Sequence, residues 1–216
     1  MAETVLIPED ISTVAKDYLV QRGYEIVVGN GAAIDVLLRD IAEANGVIVR
    51  NFPFPAEVIG QGKKLKVIAR HGVGLDNIDI GAATRQGVRV TFAPESNAGP
   101  VAEHTIGFII ALAHDIVRCD RELRHGDFQY RHKMRAMDVQ DKVLGIAGIG
   151  RIGKLVAAKA RNGLGMTVVA FDPLVTKDAA PAGVRMIPDW QEFLGASDFV
   201  SVHVPLNEKT RGLIDR

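Results

Sequence analysis

Apolar and polar positions switch between two periods along the first hundred residues. Short apolar runs at residues 4–7, 25–28, 46–50, 66–70 and 88–92 predict strands. Residues from about 11 to 22 and from about 32 to 44 carry the i, i+3, i+4 spacing of helices between them. Apolar strands separated by helical segments predict a parallel sheet covered on both faces. A second unit opens at Pro100-Val101-Ala102-Glu103-His104 and leads into a long apolar helix ending near Val117. Its charge-free stretch, 105–113, is about half the length that spans a bilayer, so it reads as a buried helix. A charged connector at 118–135 follows. After it come a strand at 143–147, a helix carrying Ile152, Leu155, Val156 and Ala160 and closed by Asn162-Gly163, and a strand at 167–171. A short helix around 190–194 and a strand at 199–203 complete the pattern. The expected domains are 1–98 and 99–216, and three strands make the second the first half of a two-part fold.

Composition narrows the class only slightly. With 216 residues, 47% of them hydrophobic and 24% charged, the chain has the make-up of a soluble α/β protein with ample core material. Its 26 basic and 26 acidic side chains cancel, so no net field draws it to nucleic acid or an anionic membrane, and neither is expected as a partner. Cys119 stands alone, which excludes an internal disulfide, and Met-Ala-Glu-Thr at the start lacks a secretory pattern. A cytoplasmic location is the default expectation, and no metal site is expected.

Chemistry enters at residues 143–153, where a short apolar run meets Gly148-Ile149-Gly150-Arg151-Ile152-Gly153, a G-x-G-x-x-G that opens directly onto a helical pattern. This is the fingerprint of a dinucleotide site. Gly148 allows a tight turn, the bare Cα of Gly150 lets a pyrophosphate approach the backbone, and Gly153 lets the helix pack on the strand. The anion then meets N–H groups at a helix N-terminus. Asp172 ends the next strand 19 residues after Gly153, close to the roughly 20 expected of an acid that holds a ribose. A carboxylate there accepts from the 2′- and 3′-hydroxyls and repels a 2′-phosphate, which favours NAD over NADP.

A second loop, 70–79, leaves a strand end with glycines flanking Val73, where successive N–H groups can face an anion. The alternative is a plain turn in which Asp76 caps the next helix. The cations of the 118–135 connector are interspersed with acids and read as a solvated or subunit-facing surface. Glu103 is placed to anchor a helix start.

Taken together, 70–79, Ser96-Asn97-Ala98-Gly99-Pro100 through Thr105, 148–153, Asp172 and His203-Val204-Pro205-Leu206-Asn207-Glu208-Lys209-Thr210 resemble the D-isomer-specific 2-hydroxyacid dehydrogenases, nearest the phosphoglycerate dehydrogenases and hydroxypyruvate or glyoxylate reductases. The resemblance covers the whole chain. It implies an α/β fold, a flavodoxin-like substrate domain followed by an NAD-binding Rossmann domain of which the first half is present. The implied activity is hydride transfer between NAD and a D-2-hydroxy acid or its 2-oxo acid, in a homodimer when complete. Val73, Gly74 and Asn97 would then bind the substrate. Gly148, Gly150, Arg151, Ile152, Gly153, Asp172, Val204, Pro205 and Thr210 would bind the cofactor. The family's catalytic arginine, glutamate and histidine are expected past Arg216, so no catalytic residue is assigned within the chain, and His203 is expected to sit beside the cofactor without carrying protons. Two rivals remain at this point: an NAD-sensing protein like the C-terminal binding corepressors, and an inactive fragment.

Overall fold

A computed structural model describes residues 2–214 and divides into two compact units, 1–96 and 97–216. In the first unit the chain runs β1 (Thr4–Ile7), α1 (Thr13–Gln21), β2 (Glu25–Val28), α2 (Ile34–Asp40) with a 3-10 turn at Ile41–Glu43, β3 (Gly46–Val49), α3 (Ala56–Gln61), β4 (Val67–Arg70), α4 (Ile80–Arg85) and β5 (Arg89–Thr91). Every pairing is parallel, in the order β2-β1-β3-β4-β5. That is the flavodoxin-like order, whose switch point lies between β1 and β3.

Register sets one residue of each strand in a row: Val27, Leu6, Val47, Ile68 and Val90. Leu6, Val47 and Ile68 are buried in one core with Leu37 and Ile41 from around α2, Val58 and Ile59 from α3, and Ala82 and Ala83 from α4. Each fully buried Leu, Ile or Val contributes about 1.5–3 kcal/mol. Helix α1 contributes no buried residue, with Val14 and Tyr18 exposed. Helices lie on both faces of the sheet, as expected, but they cover the two faces unequally. Right-handed crossovers put α2, α3 and α4, which carry the chain one way along the sheet, on one face, and leave α1, which carries it the other way, alone on the second. A cavity of about 350 Å³ bounded by Tyr18, Leu19, Tyr24, Val47 and Val67 marks that thinner layer.

The second unit opens with α5 (Ala98–Ala113), which stops short of the expected Val117. Asp115 takes a left-handed φ of 50°, and α6 (Ile116–Arg124) departs at 62° to α5. Residues 118–124 of the expected connector are thus helical. Asp120 and Arg124 pair one turn apart on it, and the Tyr130 hydroxyl, in a 3-10 segment Phe128–His132, donates to the Asp115 carboxylate over 2.6 Å. Burial of α5 is also narrower than expected. Ala102, Ile109 and Ala113 pack on Val156 and Ala160 in one core, whereas Phe108 is 58% and Leu112 73% exposed.

The chain continues as β6 (Val143–Ala147), α7 (Arg151–Leu164), β7 (Thr167–Phe171), β8 (Val184–Met186), α8 (Trp190–Gly195) and β9 (Phe199–Val202). The parallel order is β8-β7-β6-β9, a Rossmann arrangement with four strands where three were expected. Strand β8 has three residues with Arg185 at its centre, too short and too polar to show an apolar run. Helix α7 passes through Asn162-Gly163 and ends at Gly165, whose φ of 65° supplies the left-handed cap. Among the described residues, no single helix is long and apolar enough to cross a membrane.

Candidate functional site

In the second unit the chain leaves β6 and β9, adjacent strands whose connections diverge, at the carboxyl edge of the sheet where open α/β folds bind ligands. The three motif glycines there face three different surroundings. Gly148 has a φ of 91°, and a Cβ on it would stand 2.6 Å from the His203 carbonyl oxygen and 2.9 Å from the Val204 side chain. Gly153 has no room either, because its Cβ would meet the Gly148 carbonyl oxygen at 2.2 Å. Gly150 is the opposite case: a Cβ there has nothing within 4 Å. The glycine at the middle position is required by no contact inside the protein, and the space beside it is open.

Helix α7 begins at Arg151 with no side-chain cap, and the amides of Gly150, Ile152 and Gly153 have no acceptor among the described residues. Unpaired N–H groups at a helix start hold partial positive charge, which suits a pyrophosphate. Asp172 lies at the end of β7. Its Oδ2 accepts from the Ile149 amide at 3.0 Å and its Oδ1 from the Leu174 amide at 2.9 Å, so the carboxylate ties the glycine turn to the neighbouring strand end.

The His203 amide donates to the Ala147 carbonyl over 2.7 Å, seating the β9 end against β6. Its imidazole shares a 2.9 Å hydrogen bond with Ser201 Oγ, and burial holds its pKa below the ordinary histidine value. Beyond it, Val204 and Pro205 lead into a turn closed by Thr210, whose hydroxyl donates to the Pro205 carbonyl, while Asn207 Oδ1 accepts from the amides of Lys209 and Thr210. The expected cofactor residues thus cluster on three neighbouring strand ends. Asn207 organises that turn and was not singled out from the sequence.

In the first unit the loop after β4 is built differently from a plain turn. Asp79, and not Asp76, caps α4 by accepting from the Ala82 amide at 2.8 Å. Asn77 donates from Nδ2 to the carbonyls of Arg50 and Phe52, fastening the loop to the segment after β3. The amides of Val73, Gly74, Leu75 and Asp76 have no acceptor among the described residues. Asn97, assigned to the second unit, begins α5 with an exposed side chain that makes no cap bond. Glu103 does not anchor the α5 start, since it lies in the second turn and pairs with Lys159 of α7 at 3.3 Å. The catalytic arginine, glutamate and histidine expected past Arg216 lie outside the described residues.

Strand order, glycine turn and the acid at β7 define a dinucleotide-binding protein of the Rossmann class. Within that class the chain belongs to the D-isomer-specific 2-hydroxyacid dehydrogenases: residues 106–216 match the family described as D-isomer specific 2-hydroxyacid dehydrogenase, NAD binding domain. It is 39% identical over 98% of its length to the D-3-phosphoglycerate dehydrogenase of Archaeoglobus fulgidus, of which it spans 40%. A solved structure of a Thermus thermophilus protein superposes with a TM-score of 0.87 at 32% identity, covering 97% of this chain and 67% of that one. A 3-phosphoglycerate dehydrogenase of Entamoeba histolytica with bound NAD+ does so with a TM-score of 0.77 at 28% identity, covering 97% and 65%. The chain therefore spans about two fifths of the curated relative's length, and its cofactor is NAD.

Proposed function

We propose that this chain forms the cofactor-holding and carboxylate-holding parts of an oxidoreductase that moves a hydride between NAD and a D-2-hydroxy acid or its 2-oxo acid, of the 3-phosphoglycerate, hydroxypyruvate or glyoxylate class. The observation that carries the reading is the cleared space at Gly150 beside unpaired amides, with Asp172 at the adjoining strand end. When bound, NAD supplies the hydride chemistry. In this reading Gly148 and Gly153 shape the turn and Gly150, Arg151 and Ile152 hold the pyrophosphate. Asp172 accepts from the adenosine ribose, and Val204, Pro205 and Thr210 line the adenine and ribose side.

The loop amides of Val73 and Gly74 hold the substrate carboxylate, and Asn97 is assigned to substrate binding. Residues 1–98 act as the substrate domain and 99–216 as the cofactor domain. We place the activity in the cytoplasm and in a homodimer, for which the exposed Ile116, Val117, Leu123 and Phe128 provide apolar surface.

Calorimetric titration of the chain with NAD and NADP tests the cofactor half, with NAD expected to bind at least tenfold more tightly. Equal binding of the two would remove Asp172 from the ribose site.

A further inference from the structure

The loop that follows β4 leaves four consecutive amides without an acceptor among the described residues, and loop amides otherwise turn to a nearby carbonyl of the chain. The loop's own carbonyls include those of His71 and Gly74. Both are already taken. Arg70 donates from Nη1 to the His71 carbonyl at 2.6 Å and from Nε to the Gly74 carbonyl at 2.8 Å, and its Nη2 donates to Asn51 Oδ1 at 3.0 Å. One planar group therefore reaches both ends of residues 71–74 and the segment after β3.

Gly72 stands over this guanidinium with a φ of 147°, a conformation that disfavours any side chain, and a Cβ there would lie 3.0 Å from Nη1. Asn77 fastens the far end of the loop to the same segment through the carbonyls of Arg50 and Phe52.

We infer that Arg70 is a positioning residue of the anion loop: its guanidinium occupies the carbonyls of His71 and Gly74, so that the amides of Val73 through Asp76 stay unpaired and ready for a carboxylate. This rests on the reading of the loop as the carboxylate site. The fork geometry is what the role demands, because three acceptors surround one group, one at each guanidinium nitrogen. A lysine offers the same charge from a single point and cannot span them.

The test is a titration of the 15N-labelled chain with oxamate, a small 2-oxo carboxylate analogue, followed at the amide resonances of Val73 to Asp76. In the unmutated chain these four amides should shift saturably. Arg70→Lys, which keeps the charge, and Arg70→Met should both bind about tenfold or more weakly and lose the uniform shift pattern of the four amides. Asn51→Ala, which leaves Arg70 in place and removes one of its three acceptors, should give a smaller loss with the same pattern. NAD affinity, measured alongside, should be unchanged in all three variants, which also shows that the second unit remains folded, while amide spectra report folding of the first.

If the unmutated chain shows no shift in these amides, the carboxylate reading of the loop falls and the inference with it. If it binds and Arg70→Lys binds equally well with the same pattern, the loop reading stands and the positioning role of Arg70 is overturned.

Discussion

At the scale of single residues, the three motif glycines separate binding from stability. Gly150 has negative φ and open space around it, so Gly150→Val should leave the fold intact and abolish NAD binding, because the new side chain fills the place of the pyrophosphate. A folded variant with unchanged NAD affinity in calorimetry would show that the turn is not the phosphate site. Gly148→Ala should instead destabilise, by about 1–3 kcal/mol, since it combines a left-handed φ with a collision against the His203 carbonyl. Asp172→Ala should weaken NAD by about 1–3 kcal/mol, through the lost ribose acceptor and the freed Ile149 amide; fluorescence titration with NADH gives the number. His203 carries a pH signature. Burial lowers its pKa from 6.5, so the unfolded chain binds the extra proton first. Stability should be full above that value and decline as pH falls from about 6.5 towards the lower folded pKa. His203→Asn should flatten this part of the curve of melting midpoint against pH. An unchanged slope would assign it to other groups.

Elements show where the sequence speaks and where it is silent. β6 and β7 were legible because strands buried on both faces are apolar throughout, and the glycine turn because its spacing is fixed by backbone contacts. β8 was not, since Val184-Arg185-Met186 gains its strand conformation from pairing with β7 and carries no periodicity of its own. The end of α5 was hidden because Ile116 and Val117 continue its apolar pattern, and only the left-handed Asp115 breaks it. What Asp115 bonds to is the Tyr130 hydroxyl, fifteen residues on, a tertiary contact that local spacing does not encode. That carboxylate raises the Tyr130 pKa above its ordinary value, chiefly through the hydrogen bond. Tyr130→Phe should lower the melting midpoint by a few degrees and leave NAD affinity unchanged. Equal melting curves for the two proteins would mean the bend is held by the backbone alone. In the first unit Arg70, Asp79 and Asn77 stood inside a recognised loop, but their partners, Asn51, Ala82 and the carbonyls of Arg50 and Phe52, belong to other segments or follow from the cap geometry, and so the division of labour among them had to be seen in three dimensions.

For the whole molecule, two compact units with separate sheets and separate cores mean that a ligand acting on one core need not act on the other. NAD at a hundred times its dissociation constant should stabilise the unit containing 148–153 by about 2.7 kcal/mol. Followed by amide hydrogen exchange, the slowing should concentrate in β6, β7 and α7 and be absent from β1, β3 and β4. Uniform slowing in both sheets would show that the units unfold as one.

The order of the second sheet also dictates when its binding turn is finished. Val143 pairs with Thr167, 24 residues later, but Leu144 pairs with Phe199, 55 residues later. The wall that Gly148 leans on, the His203 carbonyl, arrives last. As a nascent chain emerges, β6, α7 and β7 can assemble early from contacts that are close in sequence, while the larger loop closed by β9 forms more slowly. The phosphate turn therefore exists in outline well before it exists in its final shape, and an intermediate caught at that stage would display the glycine-rich segment with its helix already formed and its far side still open to solvent.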